Sequence, residues 1–443
     1  MSIRHRLGAL QEPRFRLLWT AQSFSSIGDS MVLVAVPFAA LQIGGSPTAV
    51  GLVFAAGLVP RIALTLVGGV WADRLPRQHV MIAADLVRAT GQAAGAFVLL
   101  TGVAELWQLA LIAAIHGSGA AFFTPAASGF IPETVSAPRL QQANALIGVS
   151  RNVFAIVGPA LAGLLVYAFG PGSVYAIDAG TFAVSASFLV RLPAGTAAPA
   201  ARKKFMADLA DGWREVTSRS WVWASILYFA VWNFAIAAFF VLGPVVSDRE
   251  LGGARDWGLI LSGGAIGSIV GSLLALRIRP RRPLFTGYLL ISVAALPTIL
   301  LVRPFPVFVI AAAAVVAMVT QAFAVTLWQT ALQERIPREA LSRVFSYDWL
   351  GSLVLMPLGF AVAGPLAMAI GIDATLWLAA GLLFASSIAV ALVPGVRRIT
   401  RRDDDESSPL REVEVEPVPE ASLVDADLEA VAALPARPSH RVG

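Results

Sequence analysis

The sequence predicts an all-α polytopic membrane protein, with twelve transmembrane helices in two pseudo-symmetric six-helix halves and both termini in the cytoplasm. Three observations predict it. Of 443 residues, 57% are hydrophobic and only 14% charged, with a mean hydropathy of +0.73, whereas soluble chains carry about 25% charged residues to keep a wetted surface. Apolar runs of membrane-crossing length recur twelve times. The chain also aligns with itself about half its length further on.

A helix needs ~20 mainly apolar residues to cross ~30 Å of hydrocarbon. Runs at about 15–43, 48–72, 78–101, 106–131, 141–168, 172–191, 220–246, 256–277, 284–302, 305–332, 342–370 and 374–394 satisfy this. No backbone group can stay unpaired in lipid and no ten-residue alternation appears, so these are helices rather than barrel strands. Arg4, Arg6, Arg14 and Arg16 precede the first run, and no small-residue cleavage site follows, so it is a retained span and not a cleaved signal. The first span carries Asp29 ~21 Å along from residue 15. The second carries Arg61. The third places Asp85 and Arg88 three apart on one face, an internal pair. His116 lies in the fourth, Arg151 and Asn152 in the fifth, and Asp178 in the sixth. In the fifth, the small residues of Gly158-Pro159-Ala160-Leu161-Ala162-Gly163 permit close helix approach, and the proline bends the span.

Residues 1–191 thus form the first half, and 192–219 a connector. Within the connector, Phe205, Leu209, Trp213 and Val216 share one face of an amphipathic helix that would lie on the inner membrane surface. Residues 220–396 form the second half, where aromatic and polar side chains replace the buried charges: Trp232-Asn233-Phe234 in span seven, Trp328-Gln329 in ten and Asp348-Trp349 in eleven. Adaptable apolar and aromatic walls with few polar anchors suit bulky amphipathic ligands. Trp71, Trp107, Trp221 and Trp377 lie near span ends and read as interfacial anchors. The tail, 397–443, is acidic and lacks periodicity, so it reads as disordered.

Charge fixes the orientation. The tail has a net charge of −4 and the body before it +9. The body's cations cluster in the connectors that share a side with the N-terminus, including Arg74, Arg77, Arg139, Arg202, Lys203, Lys204, Arg277 to Arg282, Arg335 and Arg338. The opposite connectors hold only Arg249, Arg255 and Arg303. This bias makes the arginine-rich side cytoplasmic.

A shift of 201 residues brings Ala121, Phe122, Glu133, Gly158 and Gly163 onto Ala322, Phe323, Glu334, Gly359 and Gly364. A shift of 207 brings Pro37, Gly51, Gly57 and Arg74 onto Pro244, Gly258, Gly264 and Arg281. Two repeats of the same topology around a midplane site are the plan of an alternating-access transporter.

Composition excludes several classes. There is no cysteine, and His5, His79, His116 and His440 are scattered, so no metal site or metal cofactor is expected. Neither Lys203 nor Lys204 follows a glycine, so there is no phosphate-cradling loop and no self-contained ATP-driven pump of that type. The basic residues lack interleaved aromatics, which argues against nucleic acid. No enzyme motif appears.

The run Gly69-Val70-Trp71-Ala72-Asp73-Arg74-Leu75-Pro76-Arg77 resembles the G-x-x-x-D-R-x-x-R signature of the major facilitator superfamily. Gly158-Pro159 followed by Gly163 resembles the G-P-x-x-G-G motif of its antiporter branch, with Ala162 in place of one glycine. Gly28-Asp29, Phe122-Phe123-Thr124-Pro125-Ala126, Ala143-Asn144-Ala145-Leu146 and Arg343-Val344-Phe345-Ser346 are similar to a bacterial branch of macrolide and multidrug effluxers and enterobactin exporters. The resemblance covers about residues 5–395. It departs at Ala113, where the family's second signature has an arginine, and at Pro280, where the second-half signature has an aspartate.

The resemblance implies a gate of Gly69, Asp73, Arg74, Arg77 and Glu133. Asp73 would meet the positive N-terminus of span eleven near Leu341 to Arg343, and Arg77 would meet Glu133. Intramembrane ionisable groups are functional candidates because a charge in hydrocarbon costs several kcal/mol. Asp29, Arg61, His116, Arg151 and Asn152 are therefore candidates for proton coupling or substrate binding, with Arg151 or Arg61 as the expected partner of Asp29. The expected protein is a bacterial inner-membrane exporter of hydrophobic or amphipathic compounds, exchanging them for protons and working as a monomer. A siderophore or natural-product exporter is the alternative within transporters, and a non-transporting receptor or scaffold the alternative outside them.

Overall fold

A computed structural model describes residues 8–193 and 212–401, without the side chains of Leu66, Val70, Asp73, Arg338, Glu339 and Ser342. The described residues form twelve membrane-length helical segments: α1 (Pro13–Gly44), α2 (Pro47–Arg74), α3 (Arg77–Thr101), α4 (Leu106–Thr134), α5 (Leu140–Phe169), α6 (Pro171–Val190), α7 (Ser220–Glu250), α8 (Gly253–Arg277), α9 (Pro283–Leu300), α10 (Val307–Arg335), α11a (Arg338–Leu353) continued by α11b (Met356–Ile370), and α12 (Ile372–Leu392). Eleven are apolar enough to cross a bilayer on composition alone. The exception is α3, which carries Gln78, Asp85, Arg88 and Gln92, all buried within the protein.

Local signals set the boundaries. Ser46 accepts the Ala49 amide at 3.2 Å and Pro47 opens α2, while Gly45 ends α1 in the left-handed region at φ 59°. Glu105 and Gln108 form a reciprocal capping box at the start of α4.

Two spans expected as continuous are broken. In α9 a 3-10 turn, Ser292–Ala295, precedes Pro297, and α11 is interrupted between Leu353 and Met356, just before Pro357. Proline lacks an N–H and crowds the carbonyl four residues back, so the helix yields on its N-terminal side. The Asn233 amide caps the Ser352 carbonyl freed beside the second break, at 3.0 Å.

The two sets of six pack alike. The close pair α2–α4 is matched by α8–α10, α1–α6 by α7–α12, and α3–α6 by α9–α12. Between the sets, α2 packs on α11b and α5 on α8, which exchange under the repeat. These contacts are backbone-close. A side chain at Gly163 would meet the Ala254 carbonyl at 2.6 Å, and one at Gly258 would run into the Pro159 carbonyl. Ser262 Oγ also donates to the Ile156 carbonyl at 2.6 Å.

The core is distributed unevenly between the two faces. On the face opposite the termini, one apolar cluster runs across both sets, from Val34 and Val53 to Val241, Trp257 and Phe360. On the terminal face there are two clusters, each confined to one set: Phe15, Met81, Phe130 and Leu189 in the first, and Trp221, Tyr288, Trp328 and Leu332 in the second. Among the described residues the buried apolar core is therefore shared between the sets at the opposite face and divided between them at the terminal face.

The expected connector helix lies outside the described residues up to 211. Residues 212–217 are helical, with Val216 buried and Trp213 exposed but 5.8 Å from the Tyr347 ring. Residues 397–400, expected to begin a disordered tail, dock instead. Ile399 is buried in the second-set core and Arg335 binds the Thr400 carbonyl. The rest of the tail lies outside the described residues.

Candidate functional site

Helices α1, α2, α3, α4, α6, α7 and α11b enclose a polar cavity of about 280 Å³ that contains Asp29, Arg61, Gln92, His116 and Tyr175. One Asp29 oxygen lies 3.3 Å from His116 Nε2, and the other 3.5 Å from Arg88 Nη1. Gln92 Nε2 sits 3.2 Å from His116 Nδ1.

Arg88 is the unexpected centre of this group. Sequence spacing pairs it with Asp85 alone and pairs Asp29 with Arg151 or Arg61. In the fold Arg88 binds Asp85 and reaches Asp29 as well. Arg88 is 1% exposed, held between the Phe123 and Phe182 rings at 4.6 and 4.1 Å, and Asp85 takes a second bond, 2.6 Å, from the Ser185 hydroxyl. Facing aromatic rings favour a guanidinium by cation–π attraction. Helix α3 turns this polar side inward because α4 and α6 flank it. Arg61 lines the cavity, and Arg151 is exposed. Ala113, where the family signature would have an arginine, also lines the cavity, so a guanidinium reaches Asp29 from α3 rather than from α4.

A second cavity, of about 420 Å³, adjoins the first and shares Leu33, Phe240 and Met356 with it as walls. It lies between the two sets of helices and is mainly apolar, lined by Trp232, Ile236, Phe239, Pro297 and Met318. Its polar atoms come from Ser30, Asn152, Asn233, Ser268, Thr298 and Gln321, and among the described residues no ionisable side chain lines it.

Of the second-half residues singled out in the sequence, Trp232 and Asn233 reach this cavity. The others do not line it. Trp328 is 2% exposed, packs edge-on against Trp221 at 5.6 Å and donates to Asp348 at 3.2 Å. Phe234 lends its carbonyl to the close approach of Gly359, while Gln329 and Trp349 are exposed. Trp221, expected as an interfacial anchor, is buried in the same core, whereas Trp71, Trp107 and Trp377 are exposed. Phe239, Met318 and Gln321 were missed. Met318 and Gln321 share an i, i+3 face of α10 with Ala314 and Ala317, a signal that helical spacing contains.

On the terminal face, Arg77 donates to Glu133 at 2.7 Å and to the Gly129 carbonyl at 2.6 Å, joining α3 to α4. Gly69 is unobstructed and Arg74 exposed. The expected contact of Asp73 lies outside the described residues. Gly158 abuts Ser30 of α1, and Pro159 and Gly163 abut α8, so the small-residue run forms part of the seam between the sets.

Among the described residues no three histidines or acids converge as a metal site. The family model described as Major Facilitator Superfamily matches residues 18–353 and 263–434. The chain is 28% identical to "Multidrug efflux pump Tap" of Mycolicibacterium fortuitum over 409 residues, 87% of this chain and 97% of that one. It is 26% identical to "Macrolide efflux protein A" of Streptococcus pyogenes over 404 residues, again 87% and 97% of the two chains. It is 34% identical to the uncharacterized MFS-type transporter YfiS of Bacillus subtilis (strain 168) over 191 residues, 42% of this chain and 45% of that one. Among solved structures, a bacterial homologue of the human lysosomal transporter spinster, in an inward-facing and unoccupied conformation, matches 88% of this chain and 95% of its own, at 15% identity and a TM-score of 0.63. The nucleoside transporter NupG matches 84% and 98%, at 14% identity and a TM-score of 0.67. With twelve membrane-length helices in two like-packed sets around paired cavities, and a family model that spans nearly all of it, the chain belongs to the Major Facilitator Superfamily of membrane transporters.

Proposed function

We propose that this transporter exports hydrophobic or amphipathic compounds from the bacterial cytoplasm or inner leaflet in exchange for protons. The observation that carries the reading is the adjacency of the two cavities. A roomy apolar one without ionisable lining shares three walls with a smaller one holding Asp29, Arg61 and His116. The first suits a bulky amphipathic compound. The second couples it to protons: one Asp29 carboxylate serves either a protonated His116 or a cationic group on the substrate, and each displaces the other. The names of the multidrug and macrolide relatives support this substrate class.

With the arginine-rich terminal face in the cytoplasm, the state described is closed outside and open inside, ready to load. Arg77 and Glu133 belong to the gate that rearranges when the terminal face closes. The working unit in this reading is a monomer in the inner membrane.

A second reading, export of an anionic siderophore or other natural product, is favoured by Arg61 beside the cavity. Efflux of dyes, macrolides and siderophores from cells lacking their own effluxers, with and without a protonophore, tests both. A cationic compound should lose efflux in Asp29→Asn, and an anionic one in Arg61→Gln. Unchanged accumulation in wild type, variants and protonophore-treated cells would leave a receptor or scaffold as the remaining reading.

A further inference from the structure

Behind the polar cavity lies a third carboxylate with no role in the exchange described above. Asp178 on α6 is 0% exposed and its Oδ2 has no hydrogen-bond partner. Among the described residues its Oδ1 has only the Thr181 hydroxyl, 3.2 Å away, whose shorter bond of 2.8 Å goes to the Asp178 carbonyl. Asp178 faces α1 at Gly28, where any side chain would collide with Oδ1, one residue before Asp29. The ionisable groups of the cluster are Asp29 on α1, Arg61 on α2, Asp85 and Arg88 on α3, His116 on α4 and Tyr175 on α6.

Three carboxylates therefore share two guanidiniums and one imidazole; Arg61 and His116 stand at the Asp29 end of the cluster, and Arg88 is already committed to Asp29 and Asp85. With His116 neutral the cluster is one negative charge in excess, and Asp178 is the carboxylate whose Oδ2 has no partner. An uncompensated buried charge costs several kcal/mol, far more than a neutral acid with the same poor hydrogen bonding.

We propose that Asp178 is a second, buried proton-binding site, and that its proton governs which carboxylate Arg88 serves. Release breaks the Oδ2–H bond, leaves the electron pair on the carboxylate and passes the proton to water. Arg88 then turns toward Asp178 and loosens from Asp29, freeing that carboxylate for a cationic substrate. The coupling role rests on the proton-exchange reading above, and export then uses two protons.

Infrared spectroscopy of the purified full chain in lipid at neutral pH reads the carbonyl stretch of a protonated carboxylic acid directly. The expected result is a band in the wild type that is lost in Asp178→Asn, kept in Asp85→Asn and shifted in Asp178→Glu. A wild type without the band, or a band that Asp178→Asn leaves intact, overturns the proposal, and the wild-type and Asp178→Glu spectra decide the matter if the asparagine variant does not fold. In vesicles, substrate accumulation should fall from a second-power to a first-power dependence on the proton gradient in Asp178→Asn. An Asp178 band in a protein whose transport ignores protonophores would retire the exchange reading while leaving the buried proton in place.

Discussion

Arg88 ties the buried polar groups of the first six helices together. It neutralises Asp85, which is 0% exposed, and reaches Asp29 from between two phenylalanine rings. Removing one partner of a buried ion pair leaves the other charge stranded, at a cost of about 3–5 kcal/mol. Arg88→Met should lower thermal stability in detergent accordingly, and adding Asp85→Asn should recover part of the loss. Glu12, just before α1, gives a pH prediction. The Ser136 hydroxyl, with the Ser136 amide and Arg139, holds its carboxyl below the ordinary glutamate value against a smaller opposing effect of desolvation. A depressed carboxyl stabilises the fold above its unfolded pKa, and that contribution disappears as pH falls through the folded value. Acid unfolding followed by tryptophan fluorescence should therefore show a destabilising step below about pH 4.3 that Glu12→Gln removes. Among single residues, the sequence makes Asp29, His116 and the Asp85–Arg88 spacing visible. It does not reveal that Arg88 reaches Asp29, because helical spacing relates side chains on one helix and says nothing about which helices face each other.

At the scale of elements, helix positions were readable to within a few residues, since twenty apolar residues bounded by charges leave few alternatives. The breaks in α9 and α11 were missed although Pro297 and Pro357 mark both, because apolar run length is indifferent to backbone hydrogen bonding. Trp328 shows a different limit. It lies on the cavity-facing side of α10 but seven residues past Gln321, ~10 Å deeper along the axis, and there it meets Trp221 and Phe229 in the core. Periodicity gives the face and leaves the depth open. The seam between α5 and α8 belongs to this scale too. A leucine at Gly258 has no room beside the Pro159 carbonyl, and overpacking typically costs about 1–3 kcal/mol. Gly258→Leu should shift the population away from the state closed at the opposite face by about tenfold for each 1.4 kcal/mol, read as the change in a spin-label distance across that face.

Across the whole molecule, the contrast between one shared core at the opposite face and two separate cores at the terminal face is what the proposed alternating access requires of a state open at the terminal face. The internal repeat already implied two sets of helices. It could not say which face is closed, because either state is compatible with the same pattern of apolar residues. The chain has no cysteine, so paired labels need no background removal. Labels at Gln141 and Gln333, both exposed on the terminal face, should approach each other when substrate and pH are changed together, while a pair at Val103 and Phe305 on the opposite face separates.

Proton-driven export through Asp29 is the central claim, and purified protein in sealed vesicles, without ATP, tests it most directly. An imposed proton gradient should drive uptake of a cationic dye into inverted vesicles, and Asp29→Asn should reduce that uptake about 5–150-fold, the range of an ordinary coupling energy. Dye uptake that proceeds equally well with the gradient collapsed, or in Asp29→Asn, would contradict it.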